Sequence, residues 1–398
     1  MKALMRLAIG VLLTELTFGF SAHTVADNGL PRGGSGNRAA STVPLGASWR
    51  LGAPVSFENL TVFPVIGDES LDTGSFITLD EGLRSGKVTL TEIGAKGRVR
   101  RIGAGRQASD NAEVNKLMLT NRSGKTLILI AGEMVVGGKQ DRIVGHDCLV
   151  ASSNVPVKLD VFCVEPGRWN EDAAFGHSRG VEQANARNGR RTTGRSGGSS
   201  WNLGVSNASV GNGSFAPALG LTIAPSNVRE KAQAAKDQSR VWAEVAKTER
   251  DNRTSSATGN LNAVFEDKQV RARLEDYERM FAKTISSRNV VGVVVAVGGK
   301  LRSADVFATH SLFGNYWPKL LKSYSLEAAS AGKAMNESIS VAAAEAFLSH
   351  AEGTKSPGGN ARAYRLIEHQ SDKDASFELV SASKPSLSPI HFNRVTKQ

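Results

Sequence analysis

Residues 127–169, LILIAGEMVVGGKQDRIVGHDCLVASSNVPVKLDVFCVEPGRW, hold the side chains in this sequence best placed for chemistry. Glu133 interrupts an apolar run, Lys139, Gln140, Asp141 and Arg142 form a polar knot, and Glu165, Arg168 and Trp169 close the last run. A carboxylate set among Leu, Ile, Met and Val needs a partner, because burying an unpaired charge is costly. The polar side chains are therefore expected to converge inside a folded core. Three chemistries fit them. Glu133, Asp141 or Glu165 can serve as a general acid or base tuned by burial, as in a hydrolase. Gln140, Lys139, Arg142 and Arg168 can hold a small polar or anionic ligand, with Trp169 stacking on a flat one. Or the carboxylates and guanidinium groups satisfy each other as a buried ion-pair network that fixes strand register.

A second wall for this block comes from a predicted helix over 227–248. Val228, Lys231, Ala235, Gln238, Trp242 and Val245 recur there at i, i+3, i+7, i+10, i+14 and i+17, one helical face. Lys231 and Gln238 thus join the candidates, although a lysine also reaches solvent along a helix surface.

Familiar catalytic signatures are missing: there is no G-x-S-x-G, P-loop, H-E-x-x-H or CxxC. Gly137-Gly138-Lys139 and Gly298-Gly299-Lys300 look like phosphate-loop fragments, but neither opens a helix, and both read as hairpin turns. His146 and Asp147 are neighbours on an extended segment, so they point to opposite faces and make a poor dyad. No metal site is demanded by the spacing and no cofactor is expected.

The elements around the block read as follows. Strands are expected over 60–66, 87–93, 114–120 and 126–131, with a short helix near 77–83 whose Thr78 and Glu81 have capping-box spacing. Further on come a helix over 270–282, a hairpin 290–307 turning at Gly298-Gly299, and helices over 310–329, with Pro318 expected near its first turn, and 341–351. Strands over 364–368, 377–381 and 390–395 close the chain. The expected class is α+β: a β-rich N-terminal half and a mixed helix and antiparallel-strand C-terminal half, packed as one unit.

At the start, Lys2 and Arg6 precede an apolar stretch over 7–20, and Thr24-Val25-Ala26 forms a small-residue cleavage site. This is read as a signal peptide over 1–26, with export to the periplasm or beyond. A Gly/Ser/Pro-rich linker over 27–54 and a domain over 55–395 follow, the domain interrupted by a disordered basic insertion at 170–214. No transmembrane segment is expected in the mature chain, because the apolar stretch is too short to span a bilayer. The formal net charge is +11, yet aromatics are not interleaved with the basic residues, so specific nucleic-acid binding is not expected. In a hairpin built from 143–150 and 157–164, simple register sets Cys148 opposite Leu159 and Cys163 opposite Val144, so the two thiols would fall about 13 Å apart along it. A disulfide needs Cα atoms within about 7 Å, so two unpaired buried thiols are expected.

The stretches LTVFPVIG, ITLDEGLRSGKVTLTEIG, NRSGKTLILIAGEMVVGGKQDR, FCVEPGRW, SNVREKAQAAKDQSRVW, LEDYERMF and WPKLLKSYSLEA resemble an uncharacterised prokaryotic family. This is the ARG and rhodanese-phosphatase-superfamily-associated protein domain, and the resemblance covers roughly 55–329, with fainter similarity towards His391. It implies gene association with ADP-ribosylglycohydrolases and phosphatase-like proteins. It brings no catalytic residue. The leading expectation is an exported binding protein for a small polar or anionic ligand. The alternatives are a hydrolase on phosphorylated or ADP-ribosylated material, and a structural or interaction protein.

Overall fold

The run Val290-Val-Gly-Val-Val-Val-Ala-Val297 is apolar on both strand faces, so it must lie inside the molecule with cover on each side. In the computed structural model it is the buried middle of the largest sheet. The structure describes residues 49–67, 76–93, 115–168, 215–217, 222–282, 289–332, 338–349, 354–358, 363–382 and 388–398. The first half holds β1 Arg50–Leu51, β2 Val55–Phe57, β3 Leu60–Ile66, β4 Phe76–Thr78, α1 Leu79–Arg84, β5 Val88–Glu92 and β6 Lys116–Asn121. It continues with β7 Thr126–Leu129, β8 Met134–Gly137, β9 Arg142–Val144, β10 Cys148–Val150 and β11 Val157–Cys163. Then come β12 Phe215–Pro217, α2 Ser226–Gln233, α3 Gln238–Asn252, α4 Leu261–Glu266 and α5 Lys268–Phe281. The last part is β13 Val290–Val297, β14 Lys300–Phe307, α6 His310–Ser330, α7 Val341–Ser349, β15 Thr354–Gly358, β16 Tyr364–Gln370, β17 Asp374–Ser381 and β18 Ser388–Thr396. The class is α+β.

The largest sheet runs β1-β3-β13-β14-β18-β17-β16-β15, with β2 paired to β3. Because β3 lies against β13, the two halves of the chain share one sheet. The faces of β13 alternate: Val293 and Val295 pack with Leu320 and Tyr316 of α6, while Val291 and Val294 pack with Ala344 and Leu348 of α7. Each such valine stabilises the fold by about 1.5–3 kcal/mol through burial. Gly292 is required in this strand, since a Cβ there would lie 2.4 Å from Asp305 O. The second sheet runs β12-β8-β9-β11-β6-β5 and the third β10-β7-β4, where β4 and β7 are parallel. Thr78 caps α1 and forms the expected capping box with Glu81.

Four expectations need correction. The helix expected over 227–248 is two helices. Lys236 adopts φ +52 and Asp237 starts α3 afresh by accepting from Ser239 N (2.9 Å) and Arg240 N (3.1 Å). A cap inside a helical pattern wins here because the four orphan amides of a new helix need an acceptor. The stretch assigned to linker up to residue 54 includes β1, whose Arg50 and Leu51 pair with Ile66 and Val65. The 143–150/157–164 hairpin does not form as drawn. β10 pairs with β7, and β9 pairs with β11 in the register Val144↔Val161 and Arg142↔Cys163. Pro318 lies in the third turn of α6, not near its first. Cys148 and Cys163 are free and buried. Among the described residues, no helix is long and apolar enough to cross a membrane. The expected signal peptide over 1–26 and the expected insertion over 170–214 lie outside the described residues.

Candidate functional site

The polar knot sits where β8 turns into β9. Gly137 (φ +124) and Gly138 (φ +59) make the turn, positions that side-chain-bearing residues avoid. Asp141 closes it by accepting from Gly137 N at 3.0 Å. Its other oxygen accepts from Asn260 Nδ2 at 2.9 Å. Glu165, just past β11, accepts from Asp141 N at 3.1 Å and from Thr258 Oγ1 at 2.8 Å. Arg168 covers the knot. Its guanidinium lies 3.1 Å from Glu165 and 3.8 Å from Asp141, and it donates to Lys139 O (3.1 Å) and Gly138 O (2.9 Å). Gln140 donates to Glu165 O at 2.9 Å, while its Oε1 is buried with no donor among the described residues. Arg142 donates to Gln140 O at 2.6 Å and faces Glu92 of β5 at 3.6 Å. Glu92 also accepts from Lys139 N at 2.9 Å. Gln238, the first residue of α3, reads the Cys163 backbone in both directions, at 2.9 and 2.8 Å. Burial and the neighbouring Glu165 push the Asp141 carboxyl up, against the donors from Gly137, Asn260 and Arg168.

The knot is closed. Glu165 is 2% exposed, Asp141 and Glu133 1%, and Gln140 and Arg142 0%. Among the described residues, Arg168, with its side chain 31% exposed, and the partly exposed Lys139, Thr258 and Asn260 form its outer flank.

Glu133 belongs to another cluster. It accepts from Lys319 Nζ at 2.7 Å and from Ile130 N at 2.9 Å. Lys319 also pairs with Asp80 and lies 4.7 Å from the Tyr316 ring centre. Burial, and after it the opposing pull of Lys319, leaves the Glu133 carboxyl raised. Lys231 is directed elsewhere too: it pairs with Glu230 and donates to Gln398 O at 2.7 Å. The break between α2 and α3 is the reason, since it ends the shared stripe. Trp169 lies outside the described residues.

A third cluster has no counterpart in the sequence reading. Asp147 meets His391 Nδ1 at 2.6 Å, and His391 Nε2 lies 3.4 Å from Asp305. Asp305 also holds Arg229 (2.8 Å), Asn393 (3.0 Å) and Tyr324. His146, by contrast, lies 3.8 Å from Asp160, so adjacent residues do face apart. The carboxylates on both sides outweigh burial and raise His391 to about 9. Asp305, held by Arg229 and His391 against its burial, falls to about 2. The residues missed, Glu92, Thr258, Asn260, Asp147, His391, Asp305 and Arg229, are ordinary polar residues in their local sequence. Asn260 alone carries a signal, as the N-cap of α4.

Open polar walls occur elsewhere. One cleft of about 210 Å³ lies among Asn227, Lys247, Asp251, Arg302, Glu327 and Ser330. Another, of about 550 Å³, is lined by Phe265, Glu266, Arg271, Glu275, Glu278 and Lys322. Among the described residues, no group of three or more His, Cys, Asp or Glu side chains is arranged to hold a metal ion.

Fold and clusters define an α+β protein whose buried charges are matched within the chain. The ARG and Rhodanese-Phosphatase-superfamily-associated Protein domain model matches residues 48–202 and 211–382, and the chain belongs to that family, a domain of unknown function. No curated protein and no solved structure gives a significant match.

Proposed function

We propose that this is an exported binding protein for a small polar ligand, and that the knot around Asp141 and Glu165 braces the fold without meeting that ligand. The observation that carries this reading is the closure of the knot. A general acid or base must reach a substrate proton at about 3 Å. Asp141 and Glu165 instead spend their oxygens on Gly137, Asn260, Thr258 and Arg168. The clefts beside α3 and α5 supply the open polar walls that the knot lacks. Basic side chains in both, Lys247 and Arg302 or Arg271 and Lys322, suit a ligand with an anionic group.

The test pairs binding with folding. A panel of polar metabolites is screened for thermal stabilisation of wild type, Asp141→Asn and Glu165→Gln. The variants are expected to melt lower yet to show the same ligand shift as wild type. Variants that keep the wild-type melting temperature but lose the shift would place the ligand in the knot and sink the brace. Export belongs to the same proposal, supported by Lys2, Arg6, the apolar 7–20 stretch and Thr24-Val25-Ala26. Mass spectrometry of the secreted or periplasmic product should give an N-terminus near Asp27. A full-length cytoplasmic product would refute it.

A further inference from the structure

We propose that the cleft between the start of α2 and the end of α6 is a binding site for a small zwitterion of the amino-acid class. This rests on the binding-protein reading and names its site and ligand.

Two helix ends of opposite polarity border this cleft. Pro225 and Asn227 bring the first turn of α2, which no side chain caps. Ser330 and Ala331 bring the last turn and C-cap of α6. The former carries partial positive charge and the latter partial negative. Side chains repeat the pattern: Lys247, which lies 3.3 Å from Glu244 and 3.4 Å from Asp251, and Arg302 are the cations of the wall, Asp251 and Glu327 the anions. A wall with both signs rejects a simple anion or cation, since each would meet a like charge, and suits a ligand carrying both.

The second observation is unmet hydrogen bonding at the same place. Asn227 is 8% exposed, and its Nδ2 donates to Glu244 at 2.6 Å, which fixes the amide orientation. Its Oδ1 is then a buried acceptor with no donor among the described residues. Arg302 Nε has no hydrogen-bond acceptor among the described residues either and stands 3.7 Å from Glu327 Oε1. Buried polar atoms are rarely left unpaired without a reason, and an absent ligand is one. A ligand ammonium is the donor that Asn227 Oδ1 lacks, and a ligand carboxylate is the acceptor that Arg302 lacks.

Size narrows the class. A volume of about 210 Å³ takes roughly six to twelve heavy atoms, judged against the ~150 Å³ cavity that holds benzene. Alanine and serine fall within that range, glycine just below it, and nucleotides exceed it. The larger cleft is the weaker candidate. Its Glu266, Arg271 and Glu275 are exposed, as Lys247 and Asp251 are in the smaller cleft, but among the described residues no buried, unpartnered side-chain atom lines it.

Calorimetry and thermal shift on the whole mature chain test this, with glycine, L-serine, acetate, methylammonium and glucose 6-phosphate as probes. Glycine or L-serine should bind and raise the melting temperature, while acetate and methylammonium, each half of the zwitterion, should not. Arg302→Gln should weaken amino-acid binding by about tenfold or more, as expected for one lost charge-assisted hydrogen bond. Lys247→Gln, at a half-exposed position, gives the same readout if Arg302→Gln does not fold. Lys322→Gln, in the other cleft, should leave affinity unchanged. Acetate binding as well as L-serine would overturn the zwitterion, as would an amino-acid affinity that Lys322→Gln lowers and Lys247→Gln does not. Binding of glucose 6-phosphate alone, lost in Arg302→Gln, would overturn the ligand class and keep the binding-protein reading. No shift with any probe would bring down both.

Discussion

His391 is the residue whose protonation matters most for this fold. Its ring stacks on Phe307 at 4.3 Å and lies between Asp147 and Asp305, fully buried. Its folded value of about 9 stands above the ordinary 6.5. The stabilisation is therefore fully present below pH 6.5 and is lost as pH rises through about 9, a swing of about 3 kcal/mol at most. Urea denaturation across pH 6–10 should show this loss for wild type and a much flatter alkaline limb for His391→Gln. An equal slope in both would assign the loss to other groups. Arg142→Ala, which strands Glu92 inside the knot, should cost about 3–5 kcal/mol by the same assay; a cost under 1 kcal/mol would mean that the pair carries no stability. The visibility of these residues in the sequence differs for a physical reason. Glu165, Asp141 and Arg142 stand out because they interrupt apolar runs. Asp147, Asp305 and His391 do not, because their partners lie up to 244 residues away and nothing local marks the pairing.

The elements show where local rules held and where tertiary contacts overruled them. The capping box at Thr78 and Glu81, the hairpin at Gly298-Gly299 and the long helix after Thr309 follow from short-range chemistry and could be read directly. The α2–α3 break could not, because the periodic stripe through Lys231 and Gln238 masked the cap at Asp237. Asp237→Ala should destabilise the protein by about 1 kcal/mol, with hydrogen exchange quickened in the first turn of α3. Unchanged protection at Ser239 and Arg240 would deny the cap its role. The break has a use: it aims Gln238 at the Cys163 backbone and sends Lys231 away from the knot. Register was harder still. Cys163 lies opposite Arg142 rather than Val144 because β11 is shared between β9 and β6, a pairing that no turn sequence announces.

At the scale of the molecule, β3 and β13 join the two halves of the chain. Gly292→Ala, which forces a methyl group against Asp305 O and the Val306 backbone, should loosen this seam and cost about 1–3 kcal/mol. Calorimetry should still show one transition, at lower temperature. Two resolved transitions in wild type would mean that the halves are independent. The seam also sets a clock. Leu60 finds its partner Val297 only after about 240 further residues have been made, which takes roughly ten to fifty seconds at ordinary synthesis rates. Until then β3 has no neighbour on that side, and the chain is an unfinished polymer that holdase chaperones can grip.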